Sequence, residues 1–308
     1  MAQNEILRRE GDRVWFGHYP QTLVGGHHAR ALRRRALPLP TPDNAYDWTD
    51  CGYYVNGKPV PYAWYIDLEC AGVTYRGYYF VEYRPYSTDY YNNSREKSDQ
   101  FTNGWFCKRV YWFRCDPIEW RVLRENAGEM LLLAESVLDS QPFNVDDKAA
   151  NLYGLSSIRA WLNDHFLNTA FTPAEQRLLK ARTVSVSGVK PQGYPDDWGK
   201  ACGRVEVRDL VYLPDREDML CPRYAEGNTD LRLGDMWRLS PTPYALAQGG
   251  WHMGLGFFDN PNPSVATWWL RTQCKYRHAA CTIHDGTDDN FSPHYTGVGV
   301  LPTVCVRK

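Results

Sequence analysis

An α+β fold is predicted by the order of three patterns along the chain: strand-like runs, then helical signatures, then strand-like runs again. The first run is Arg13-Val14-Trp15-Phe16, closed by Gly17 and a turn at Pro20. Residues 23–60 follow no period and carry Pro38, Pro40, Pro42 and an Asn56-Gly57 turn signal. Val73-Thr74-Tyr75, and then Tyr78-Tyr79-Phe80-Val81 across Arg76-Gly77, read as short strands. The polar stretch 87–104 reads as an exposed loop. Residues 109–123 predict two strands broken at Asp116-Pro117. A turn at Asn126-Ala127-Gly128 then joins them to Glu129–Ala134 as a hairpin.

The helical centre is marked by Ile158, Trp161, Leu162 and Phe166, which recur at helical spacing behind a capping Ser156 or Ser157. Thr172-Pro173-Ala174-Glu175 predicts a second start. Thr172 suits the cap, Pro173 the first turn, and Glu175 completes a capping box, with Leu178 and Leu179 facing the core. A short third helix is expected from Thr242-Pro243 to Gly249-Gly250, and Val211-Tyr212-Leu213 reads as a strand. GVGVLPTVCV supplies the last strand-like run, and pairing it with RVWF would close one domain. The expected organisation is an N-terminal segment 1–12 and a single domain 13–308 with an irregular insertion at about 23–108.

A length of 308 residues allows a sizeable core. A formal net charge of -1 carries no basic excess for a nucleic-acid partner. Arg30, Arg33, Arg34 and Arg35 read as the solvated face of a short helix rather than a polyanion site. Mean hydropathy is -0.55, and no apolar run nears the roughly 20 residues of a membrane span. No apolar leader is visible at the N-terminus, and the nine scattered cysteines favour free thiols, so synthesis in a reducing cytoplasm is expected. Tyr and Trp are abundant, at 21 and 12 residues, which suits both core and contact surface.

No metal motif of usual form occurs. Cys274, His278, Cys281 and His284 hold ligand types at a spacing foreign to structural zinc sites. His284 to Asn290 is rich in oxygen donors, yet it lacks the calcium-loop register and reads as a polar turn at Asp285-Gly286. No nucleophile elbow, P-loop or dinucleotide fingerprint is present. No cofactor is expected.

Several blocks together resemble a bacterial family, domain of unknown function 6273. They are Val14 to Thr22, Tyr75-Arg76-Gly77, Tyr83-Arg84-Pro85-Tyr86, Val110 to Phe113, Asp116 to Leu123, Asp139 to Asn144, Ser157 to Asn163, Asn168 to Phe171, Trp268 to Arg271 and Gly297 to Pro302. Leu301 stands where the family pattern suggests a basic residue. The resemblance implies a C-type-lectin-like fold with paired N- and C-terminal strands, two central helices and a long irregular region between late strands. The Glu-Pro-Asn and Trp-Asn-Asp patterns of calcium-dependent sugar binders are missing, so that activity does not carry over.

The closing pattern, Trp268-Trp269-Leu270-Arg271 through Gly297-Val298-Gly299-Val300, also resembles variable proteins of diversity-generating retroelements, bacterial or phage. Those systems rewrite adenines in a C-terminal coding segment, and the residues of 274–295 include many that such rewriting yields. The expectation is a non-catalytic display protein. It would bind a protein or cell-surface ligand through residues 273–295, with Tyr276, Arg277, His278, Asn290, Phe291, His294 and Tyr295 in contact. Two readings compete with it. One is an enzyme related to lectin-like sulfatase-activating proteins, which need cysteine and metal; the other is a ligand-free structural accessory domain. Trp112, Trp120, Trp161, Trp268 and Trp269 are expected in the core.

Overall fold

The computed structural model describes residues 6–41, 43–51, 54–55, 58–59, 63–84, 98–145, 152–186, 205–215, 218, 237–253, 265–272, 280–284 and 287–308. In the first half, β1 (Arg8–Glu10) and β2 (Arg13–Val24) lead to α1 (Gly26–Arg35). Next come β3 (Thr49–Asp50), β4 (Ala63–Cys70), β5 (Val73–Phe80) and the short α2 (Asp99–Thr102). The 17-residue β6 (Arg109–Glu125) then precedes β7 (Glu129–Ala134) and β8 (Asp139–Ser140).

The centre holds α3 (Ser157–Trp161), a π-helical turn at Leu162–Phe166, α4 (Leu167–Ala170) and α5 (Pro173–Gln176). After β9 (Val211–Tyr212) and α6 (Pro243–Ala247) come β10 (Trp268–Trp269), β11 (Ala280–His284), β12 (Thr287–Phe291), β13 (Gly299–Val300) and β14 (Thr303–Arg307). The chain is α+β with mostly antiparallel pairing.

Among the described residues, a nine-stranded sheet runs in the order β9-β14-β7-β6-β5-β4-β3, with β2 on β6 and β1 on β2. Its organiser is β6. Trp112, Phe113 and Arg114 pair with both β2 and β5, and Trp120 and Arg121 pair with both β2 and β7. So β2 lies along one edge of β6, while β5 and β7 share the other edge end to end. The expected break at Asp116-Pro117 is absent. Pro117 falls in the gap between the β5 and β7 stretches, a place where a strand tolerates a residue with no N–H to donate.

The terminal strands do not pair with each other, contrary to expectation. β6 and β7 lie between β2 and β14, because Asn126 accepts from the N–H groups of Gly128 and Glu129 and turns β7 back beside β6. That leaves the outer edge of β7 for β14, with Thr303↔Leu133 through Arg307↔Glu129 in register. Val14 and Val300 therefore lie in different sheets. Val300 belongs to a five-stranded sheet in the order β8-β13-β10-β11-β12.

Segment 23–108 is less irregular than expected, since it contributes α1 and the β4–β5 hairpin. Helix α1 buries Leu32 and leaves its arginines exposed, as the patterning predicts. The second helix start is also as predicted: Thr172 and Glu175 form the capping box, and Thr242 caps α6. The main core contains Phe16, Trp120, Leu132, Phe166, Trp268 and Trp269, and a smaller one gathers Leu32, Trp48, Tyr75 and Trp112. Trp161 is only half-buried.

Candidate functional site

Of the segment expected to carry contacts, residues 273–279 lie outside the described residues, and with them Tyr276, Arg277 and His278. The rest is more regular than its composition suggests. β11 and β12 pair from Ala280↔Phe291 to His284↔Thr287, and β12 is the last strand of its sheet. Asn290 and Phe291 are half-buried there.

His294 and Tyr295 are buried, at 6% and 3% exposure, which corrects the expectation that they point outward. The chain turns inward after β12. The Asn144 backbone N–H donates to the Pro293 carbonyl, and His294 Nδ1 lies 2.9 Å from the Asn144 carbonyl. The Tyr295 hydroxyl donates to Asp99 at 3.0 Å while its ring stacks on Phe291. These side chains fasten the hairpin to the core.

A second place lies apart from the expected contact segment. A recess of about 370 Å³ opens between β4, the end of β8, α3 with its π-turn, and α6. A neighbouring recess of about 460 Å³ shares Tyr65 and His165 with it. The five-residue π-turn sits at the rim, and such turns recur at functional sites because they shift side chains off the regular helical face. His165 stacks on Trp161 at 5.9 Å and meets the Tyr65 ring edge-on at 6.2 Å.

The recess floor is a charged network closed on itself. Asp139 accepts from the Tyr19 hydroxyl at 2.6 Å, the Ser140 N–H at 2.6 Å and Gln141 at 3.2 Å. Arg84 donates to the Ser140 and Gln248 carbonyls and to Gln141 Oε1. Its own backbone N–H donates to Gln100, whose amide in turn donates to the Ala247 carbonyl. Behind Tyr65, Arg76 grips Asp67 with two hydrogen bonds of 2.8 and 2.6 Å, and its guanidinium lies 4.2 Å from the Tyr65 ring centre.

Burial dominates the electrostatics. It pushes the Asp139 carboxyl up despite the hydrogen bond from Tyr19. It raises the Tyr244 hydroxyl and the Cys51 thiol, so both stay protonated near neutral pH. It lowers the His165 imidazole, helped by the charge of Arg76, so that ring is neutral. The Cys51 thiol, the Tyr244 hydroxyl and the His165 imidazole thus face the recess as uncharged groups near neutral pH.

Among the described residues, no three His, Cys, Asp or Glu side chains are grouped to hold a metal. Cys274, His278, Asp285 and Gly286 lie outside those residues, as do the side chains of Cys281 and His284. Among the described residues no helix is long and apolar enough to cross a membrane. Local signals for the recess were present as Trp161 and His165, four residues apart on one helical face. Its other walls come from Cys51, Tyr65, Arg84 and Tyr244, and only tertiary structure brings these together.

No curated protein and no solved structure matches the chain. Residues 127–308 match the model of the family described as Domain of unknown function (DUF6273). The resembling blocks before residue 127 fall outside that match, whereas those from Asp139 to Pro302 fall within it. On a match over more than half its length, the chain belongs to the DUF6273 family.

Proposed function

We propose that this protein is a non-catalytic binding domain that holds a small ligand in the recess beneath the π-turn. The observation that carries this reading is the recess itself. Its volume of about 370 Å³ suits a small molecule, and it combines aromatic walls with a few convergent polar groups. The Cys51 thiol, held protonated by burial, supports binding over thiolate chemistry. The test is a fragment screen by ligand-observed NMR on the full chain and on an Ala160→Trp variant. Ala160 is exposed on α3 at the recess lining, so the larger ring blocks the space without emptying the core. Fragments that bind the wild type and are lost in the variant support the reading; a screen with none sinks it.

A second reading keeps the expected display surface, on a C-type-lectin-like fold. Its support is the position of β12 at the end of its sheet, with Asn290 half-buried. On this reading, residues 273–295, apart from the buried His294 and Tyr295, bind a protein or cell-surface ligand as a diversified segment. An imperfect DNA repeat of the codons for 267–302, mismatched only opposite adenines, is the expected finding. A locus with no such repeat removes the diversification.

A further inference from the structure

Resting on the recess reading above, we infer that the ligand is an uncharged planar molecule bearing an amide-like pair, one acceptor oxygen beside one N–H donor. Asp139 accepts three hydrogen bonds from within the protein, and Arg84 donates to two carbonyls and an amide oxygen. Arg76 is committed to Asp67. A cationic ligand would find Asp139 and Asp67 already holding their donors, and an anionic one would meet guanidinium groups buried behind carbonyl, amide and carboxylate partners, so either would lose its hydration for little new ion pairing.

Spare capacity on uncharged groups lies at the recess lining. Among the described residues, neither ring nitrogen of His165 nor the indole N–H of Trp161 has a hydrogen-bond partner, and both residues line the recess. A neutral imidazole offers one donor and one acceptor, and an indole offers one donor. Together the two rings offer two donors and one acceptor, the complement of a carboxamide. Its oxygen receives an N–H, and its own N–H donates to the imidazole. The neutral state of His165 keeps that acceptor in place. Tyr65, Trp161 and Tyr244 supply aromatic walls for a flat ring.

Three probes of one shape test this: benzamide (neutral), benzoate (anionic) and benzamidine (cationic). Their affinities are measured by NMR titration against the full-length wild type, Ala160→Trp and Trp161→Phe. Benzamide is expected to bind at least about tenfold tighter than either ion. Its affinity should vanish in Ala160→Trp and drop about fivefold in Trp161→Phe, which keeps a ring but loses the indole N–H. If benzoate or benzamidine matches benzamide, and Ala160→Trp still abolishes binding, the ligand class is wrong while the recess reading survives. If no probe shows binding that Ala160→Trp blocks, the recess reading falls with it.

Discussion

Replacing Gly17 by Ala should destabilise the protein through two separable effects. Gly17 sits on β2 at φ +70, where a side chain is strained by about 1–2 kcal/mol. A Cβ there would also stand 2.6 Å from a Phe171 ring carbon and 2.8 Å from the Ala170 carbonyl oxygen, an overpacking worth about 1–3 kcal/mol. Two reference variants separate the effects. Gly11 has φ +61 with nothing within 4 Å, so Gly11→Ala meets strain alone. Gly77 has no positive φ, but its Cβ would meet Trp112 at 2.7 Å, so Gly77→Ala meets the clash alone.

The reduced freedom of the unfolded chain offsets all three by about 0.4–1 kcal/mol. For a chain of 308 residues, about 0.65 kcal/mol shifts Tm by 1 °C. Gly17→Ala should therefore lower Tm by about 2–7 °C, and by more than either reference variant. Scanning calorimetry at one pH reads this directly. A Gly17→Ala protein melting within 1 °C of Gly11→Ala would refute the close approach of β2 to the end of α4. That approach matters for the recess, since it seats the helix that carries Trp161 and His165.

Other perturbations follow from the same contacts. Thr172→Ala should cost about 1 kcal/mol in denaturant unfolding, by removing one half of the capping box at α5. Asp139→Leu should cost about 3–5 kcal/mol, because it leaves Tyr19, Gln141 and the nearby Arg84 without their acceptor or counter-charge. Loss of less than about 1 kcal/mol would show that the floor network is not formed. Asp99 is held up at about 7 by burial, so its folded form binds a proton more tightly than the unfolded chain does. The contribution of Asp99 to stability should therefore fall as pH rises from about 4 to about 7, then level off. Asp99→Asn should remove that part of the slope, and identical pH profiles for the two proteins would contradict the buried contact with Tyr295.

What the sequence made legible was local. The β6–β7 hairpin, the helix from Ser157 and the caps at Thr172 and Thr242 each depend on residues within a few positions of one another. The closure of the sheet was misjudged. Apolar alternation marks β2 and β14 as strands, but nothing in it says that β6 and β7 come between them. The outward side chains were misjudged at His294 and Tyr295 for a similar reason. Aromatic and histidine residues in a polar stretch suit a contact surface, yet their partners Asn144 and Asp99 lie 150 and 196 positions away. The recess was illegible in the same sense, since Tyr19 reaches Asp139 across 120 positions and Arg84 reaches Gln248 across 164.

The central claim is that the recess under the π-turn is where a ligand sits. A crystal structure of the full chain soaked in benzamide tests it most directly. The account predicts a flat ring bounded by Tyr65, Trp161 and Tyr244, with its amide on the His165 imidazole. A recess filled by the protein's own side chains, or benzamide ordered only elsewhere on the molecule, would contradict it.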